Sequence, residues 1–210
     1  MTINLNHSFR RYNSAGGIML SCKSKSNNFY KNNKYWYHGT TLNAAKSILK
    51  NGIDPLFAKK HLPSNTYDFG PAFYLTSNKS QAIKWAVRKS SLGLYNLDPA
   101  IVIINMKNIL TGLGKEFPEM DENWARFVLN NRLGYKQLDS LEYVYGCIAD
   151  GSLTSAVTKY KENKDFASFK KSVYNKHYET SYDQLALISE SLCKQITVDR
   201  IKIVRCKYNG

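Results

Sequence analysis

Asp68-Phe69-Gly70-Pro71-Ala72-Phe73-Tyr74-Leu75-Thr76, followed closely by Ser80-Gln81-Ala82-Ile83-Lys84-Trp85-Ala86, carries a loop into a strand and the strand into a helix. Gly70 and Pro71 punctuate the loop, and the aromatic and β-branched content of Ala72 to Thr76 predicts the strand. Alternation along that strand sends Phe73 and Tyr74 to opposite sides, one into a core and the other to line a cleft. Residues 78 to 90 return to helical spacing, with Ala82, Trp85 and Ala86 expected on one side.

Upstream, Tyr35-Trp36-Tyr37 reads as a short aromatic strand. Thr41 can cap a helix whose Ala44, Ala45, Ile48 and Leu49 share a face, and Gly52 ends it. Between strand and helix lies His38-Gly39-Thr40. A strand-end imidazole beside a glycine offers a fixed ring and an approachable backbone, suited to a polar ligand such as an amide; a plain turn histidine is the competing reading. Residues 54 to 71, with Pro55, Pro63 and Pro71, read as loop.

Downstream, Ala100 to Met106 reads as a buried strand, and Asp121 as the cap of a helix carrying Trp124, Phe127 and Val128. Leu141 to Ile148 reads as strand, 154 to 162 and 165 to 175 as charged helices. Gln184 to Ile188 and Ile201 to Val204 complete the strands, with a short helix near 190 to 196. The irregular alternation predicts a mixed α+β domain rather than a doubly wound sheet.

The 210 residues are 43% hydrophobic, enough for one core, and carry a net charge of +14. That charge favours a polyanionic partner. Residues 1 to 33 are basic and weakly patterned, which predicts a mobile or loosely packed arm without an ordered core element, or a solvated arm with a few residues docked on the core, leaving residues 34 to 210 as the single domain. Cys22, Cys147, Cys193 and Cys206 are scattered, and neither they nor the histidines have metal-ligand spacing. The expectation is a reduced cytoplasmic protein with free thiols, no metal, no disulfide-linked partner and no membrane span.

Five ordered segments together resemble the DUF3990 family of the ADP-ribosyltransferase superfamily: His38 to Gly52, Asp68 to Ala86, Trp124 to Arg132, Tyr145 to Gly151 and Gln184 to Ser189. The resemblance implies a split β-sheet around an NAD cleft, with peripheral helices and a His, Tyr and Glu or Gln triad. On this chain His38 would bond the adenosine ribose, and Gly39, with Thr40 beside it, would hold the nicotinamide carboxamide. Tyr74 would stack on the nicotinamide ring, and Gln184 would bond its ribose. Asp68, Phe69, Gly70 and Phe73 would shape the ligand loop, while Asn131, Arg132 and Asp150 would stand at the rim.

Gln184 is neutral where many superfamily members have glutamate, which argues for mono-ADP-ribosylation and leaves Glu179 or Glu190 as candidate bases, or an acceptor nucleophilic enough to need none. Relatives of this type resemble toxins of toxin-antitoxin or phage-defence modules, so a cognate antitoxin is expected. The basic charge directs the expected acceptor toward nucleic acid, RNA ahead of DNA. Modification of a host protein, or nucleic-acid binding without catalysis, are the alternatives.

Overall fold

The computed structural model describes residues 29–61, 63, 66–92, 97–135, 140–149, 153–174 and 182–205. Among them lie seven strands: β1 (Tyr35–Thr41), β2 (Phe73–Leu75), β3 (Pro99–Asn105), β4 (Gly114–Phe117), β5 (Tyr143–Cys147), β6 (Asp183–Leu187) and β7 (Thr197–Ile203). The helices are α1 (Phe29–Asn32), α2 (Leu42–Asn51), α3 (Phe57–His61), α4 (Lys79–Ser91), α5 (Glu122–Arg132), α6 (Leu153–Asn163), α7 (Phe166–Val173) and α8 (Glu190–Lys194).

The strands divide into two sheets, β1-β3-β7 and β2-β6-β5-β4. The first is antiparallel throughout; in the second only β4 and β5 run parallel. One bridge, Tyr37 to Thr76, joins them, through Tyr37 N–H to Thr76 O at 2.9 Å and Thr76 N–H to Tyr37 O at 3.0 Å. The expected mixed α+β class and split sheet are both present.

Side-chain alternation turns this topology into layers. Trp36, Ala100, Val102 and Ile104 of the first sheet pack with Phe73, Leu75, Tyr143, Tyr145, Leu185 and Leu187 of the second to form the central core. Ile101 and Ile103 face the other way, onto Ala82 and Ala86 of α4. Val144 and Ala186 face outward from the second sheet onto Trp124, Val128 and Val157 of the helices behind it.

The expected caps hold. Thr41 accepts from Ala44 N–H and Asp121 from Trp124 N–H, and Gly52 ends α2 at φ 83°. Other expectations need correction. Trp85 is 40% exposed rather than grouped with Ala82 and Ala86, and the segment expected as loop contains α3. At the end of the expected arm an ordered element occurs, in line with the docked alternative: Tyr30 of α1 is buried, stacks on Tyr145 with centroids 4.5 Å apart, and bonds Glu116 through its hydroxyl. One buried aromatic ring is enough to dock a four-residue helix that carries no periodicity of its own. Residues 1–28 of that arm lie outside the described residues. Cys193 is free and buried, whereas Cys147 is disulfide-bonded, contrary to the free thiol expected there. No described helix is long and apolar enough to cross a membrane.

Candidate active site in the split between the sheets

The bridge at Tyr37 and Thr76 decides which backbone groups are open. Tyr37 spends both its N–H and its C=O on Thr76. Peptide groups alternate direction along a strand, so Gly39 presents its own N–H and C=O on the same edge, beyond the point where β2 turns away. His38 and Thr40 point theirs toward β3 instead. Among the described residues no hydrogen bond engages the outward edge of Gly39. The split is therefore lined by one unspent donor and acceptor pair.

Gly39 also has to be glycine for packing. A Cβ there would lie 2.0 Å from Ala82 O and 2.8 Å from Ala86 N, because α4 rests directly on the strand. The same helix supplies the flank of the crevice. Gln81, Trp85 and Lys89 fall one turn apart on one side of α4. Gln81 bonds β6, through its Nε2–H to Asp183 O at 2.8 Å, and Lys89 acts electrostatically on His38. Gln81 thus ties α4 to the edge of the second sheet, and Trp85 lies one turn further along, 40% exposed.

The imidazole of His38 stacks on Phe73, with centroids 4.3 Å apart, and its Nδ1 lies 2.7 Å from Tyr74 O. A carbonyl only accepts, so Nδ1 carries the proton and Nε2 keeps a free lone pair. Burial, and after it the Lys89 ammonium, lower the His38 pKa to about 3, against the backbone bond that raises it. The ring is neutral at ordinary pH.

Tyr74 points to the opposite side of β2 from Phe73. Its hydroxyl donates to Gly70 O at 2.7 Å and accepts from Phe69 N–H at 3.0 Å, and its ring stacks against Tyr67 with centroids 5.4 Å apart. His38 thus meets Tyr74 through the backbone, not ring to ring. Burial, and then Asp68, push the phenol pKa well up.

Gln184 shares Tyr74's side of the sheet and is buried. Its Nε2 donates to Asp68 Oδ2 at 3.3 Å and to Cys147 O at 3.1 Å. Asp68 is a buried carboxylate: its Oδ1 pairs with Arg132 at 2.6 Å, and its Oδ2 also accepts from Ala149 N–H at 3.2 Å. Asn131 donates to Asp68 O at 3.2 Å. This network ties the loop before β2 to α5 and β6.

Several sequence-predicted site residues therefore have structural places. Phe69 is fully buried against Phe117 and Phe127, and Thr40 and Asn131 are buried. Arg132 pairs with Asp68. Gly70 adopts φ 80°, a turn conformation only glycine reaches without strain. Glu190 opens α8, and Asp150 and Glu179 lie outside the described residues.

Sequence reasoning missed Trp85, Lys89 and Asp183. Asp183 accepts from Thr76 Oγ1 (2.7 Å), Ser77 N–H (2.8 Å) and Ser77 Oγ (2.6 Å), and burial raises its pKa against those bonds. The detectable signal was the row Gln81, Trp85, Lys89, visible once α4 is drawn as a helix. The cavity of about 510 Å³ between β4 and α5 lies elsewhere, and no sequence-predicted site residue lines it.

Two family models match the chain. The one described as "Protein of unknown function (DUF3990)" covers residues 57–198, and the one described as "Poly(ADP-ribose) polymerase catalytic domain" covers residues 5–103. No curated protein and no solved structure matches. The second match spans β1, β2 and α4, the elements that build the open edge and its flank, and fits an ADP-ribosyltransferase-like fold.

Proposed function

Since the chain belongs to the DUF3990 family and its amino-terminal half matches a poly(ADP-ribose) polymerase catalytic domain, we propose that it is an NAD-dependent mono-ADP-ribosyltransferase. The observation that carries this reading is the outward peptide edge of Gly39. A primary carboxamide has one acceptor and two donors in a plane, so it pairs with an open N–H and C=O as a neighbouring strand would. The nicotinamide ring then lies beside Trp85 and the Phe73 and Tyr74 strand, and the Nε2 lone pair of His38 accepts from a ribose hydroxyl.

In the reaction the bond between C1′ and the nicotinamide nitrogen breaks, and its electron pair neutralises the pyridinium. The acceptor nucleophile attacks C1′ and releases its proton to solvent. Holding both ends of the breaking bond in a dry crevice is the protein's contribution. Gln184, neutral and engaged inside the fold, supplies no base, which favours single transfer over chain growth. The net charge of +14 favours a nucleic-acid acceptor, taken as RNA ahead of DNA, and the resemblance to its family favours the role of a toxin or anti-phage effector with a cognate antitoxin.

Incubation with labelled NAD and separate pools of RNA, single-stranded DNA, duplex DNA and lysate protein tests the reading. RNA should take up label, with nicotinamide released, and His38→Ala and Tyr74→Ala should abolish both. Label in protein alone would redirect the acceptor to a host protein. The engagement of Gln184 inside the fold favours one second reading, a nucleic-acid-binding module without catalysis; nicotinamide release from no pool, with salt-sensitive RNA binding intact in both variants, would establish it.

A further inference from the structure

The ladder between β2 and β6 ends after Leu75 and Leu185, and side chains end it. Thr76 directs its N–H and C=O at Tyr37, so by alternation Leu75 and Ser77 turn theirs toward β6, and a continued ladder would set Ser77 against Asp183. That rung is replaced from both sides. The Asp183 backbone pairs with the Gln81 side chain, its C=O accepting from Nε2–H at 2.8 Å and its N–H donating to Oε1 at 3.2 Å. Ser77 N–H donates instead to the Asp183 carboxylate at 2.8 Å, and the Thr76 hydroxyl lies 2.7 Å from the same Oδ1. Thr76, Gln81 and Asp183 are all buried. A primary amide thus already completes a strand edge in this fold, in the mode proposed for nicotinamide at Gly39.

We infer that Gln81 and Asp183 are positioning residues that set the width of the split. The inference rests on the NAD reading, and the pair acts through Thr76 and Ala82 rather than through the ligand. Its bonds fix three points around the Gly39 edge. Thr76 is held where it makes the rung to Tyr37, and the first turn of α4 is tied to β6. Ala82, next to Gln81, lies directly against Gly39, where a Cβ would come 2.0 Å from its carbonyl oxygen. β1 is therefore referenced to β6 through α4 as well as to β2 through Tyr37. Without the Gln81 amide, one backbone rung and apolar packing locate Gly39 relative to β2, and apolar packing is non-directional.

The alternative is a buried polar cluster that adds stability alone. Gln81→Met keeps the length of the side chain and removes its donor and acceptor. Nicotinamide titration of the full chain, with amide hydrogen exchange on the same protein, separates the two. Positioning predicts roughly 10-fold weaker nicotinamide binding by the folded variant, as loss of a buried hydrogen bond does. It also predicts faster exchange at the Tyr37 and Thr76 amides, with the β3–β7 ladder as slow as in wild type. Thr76→Val carries the test should Gln81→Met unfold, and should weaken binding roughly 3-fold or more. Unchanged affinity in the folded variants, with nicotinamide bound by the wild type, overturns the positioning role alone, as does exchange that quickens uniformly through both sheets. Failure of the wild type to bind nicotinamide overturns the NAD reading and this inference with it.

Discussion

Gln184 and Asp68 are locked together inside the fold, the amide nitrogen of one donating to the carboxylate of the other at 3.3 Å. The second amide hydrogen goes to Cys147 O, so only the Gln184 carbonyl oxygen is left to meet a ligand. Replacing it by glutamate would remove both donors and set two buried carboxylates against each other. Gln184→Glu is therefore expected to lose about 2–4 kcal/mol of stability and to gain no activity. Urea unfolding checks the first, and nicotinamide release the second; a stable, more active variant would refute the account.

Arg132 is the only cation paired with Asp68 among the described residues. Arg132→Met leaves a buried carboxylate with its main counter-charge gone, a loss of about 3–5 kcal/mol. At roughly 2–4 °C per kcal/mol for a chain of this size, the melting temperature should fall by about 6–20 °C. A fall of under a degree would show that the pair is dispensable.

Gly39 tolerates no side chain because α4 occupies the space. Gly39→Val should lift the helix, shift Trp85 and Lys89 together, and lower both thermal stability and nicotinamide affinity. Trp85→Ala should lower affinity alone, since that ring is already 40% exposed. Parallel melting and titration of the two variants distinguishes these outcomes.

The His38 pKa, lowered to about 3, sets a pH window. Between about 6.5, the ordinary histidine value, and 3 the unfolded chain binds a proton that the folded chain refuses. Stability therefore drops as pH falls through that interval, and His38→Gln should flatten this part of the profile. Urea midpoints measured from pH 7 to pH 4 test it; identical slopes in the two proteins would remove His38 as the cause.

Trp36 and Trp124 are fully buried, which leaves Trp85 as the one tryptophan open to solvent. Acrylamide should quench a single accessible emitter, lost in Trp85→Phe, and nicotinamide should protect it. Quenching indifferent to nicotinamide would place the ring binding site elsewhere.

The contrast between Trp85 and Thr41 explains what was legible. Thr41 and Asp121 announce helix starts through short-range chemistry, and both caps form. Phe73 and Tyr74 likewise part to opposite sides by strand alternation alone. Trp85 misled because an aromatic at helical spacing from Ala82 and Ala86 looks like core, and only the closeness of α4 to Gly39 leaves it too little room beneath. The partners of Phe69 and Arg132 were not legible. Family likeness marked the first for the loop over the ligand and the second for the rim, and only long-range contacts with Phe117 and Asp68 bury one and pair the other. Residues 29 to 32 carry no pattern, and Tyr30 becomes structural only through Tyr145 and Glu116, more than eighty positions away.

A single rung, Tyr37 with Thr76, fastens the two sheets along their shared seam. Had β2 run on beside β1, the next rung would have closed the seam and the molecule would present an unbroken wall. Turning away one peptide early leaves the Gly39 N–H and C=O as an unfinished rung among the described residues.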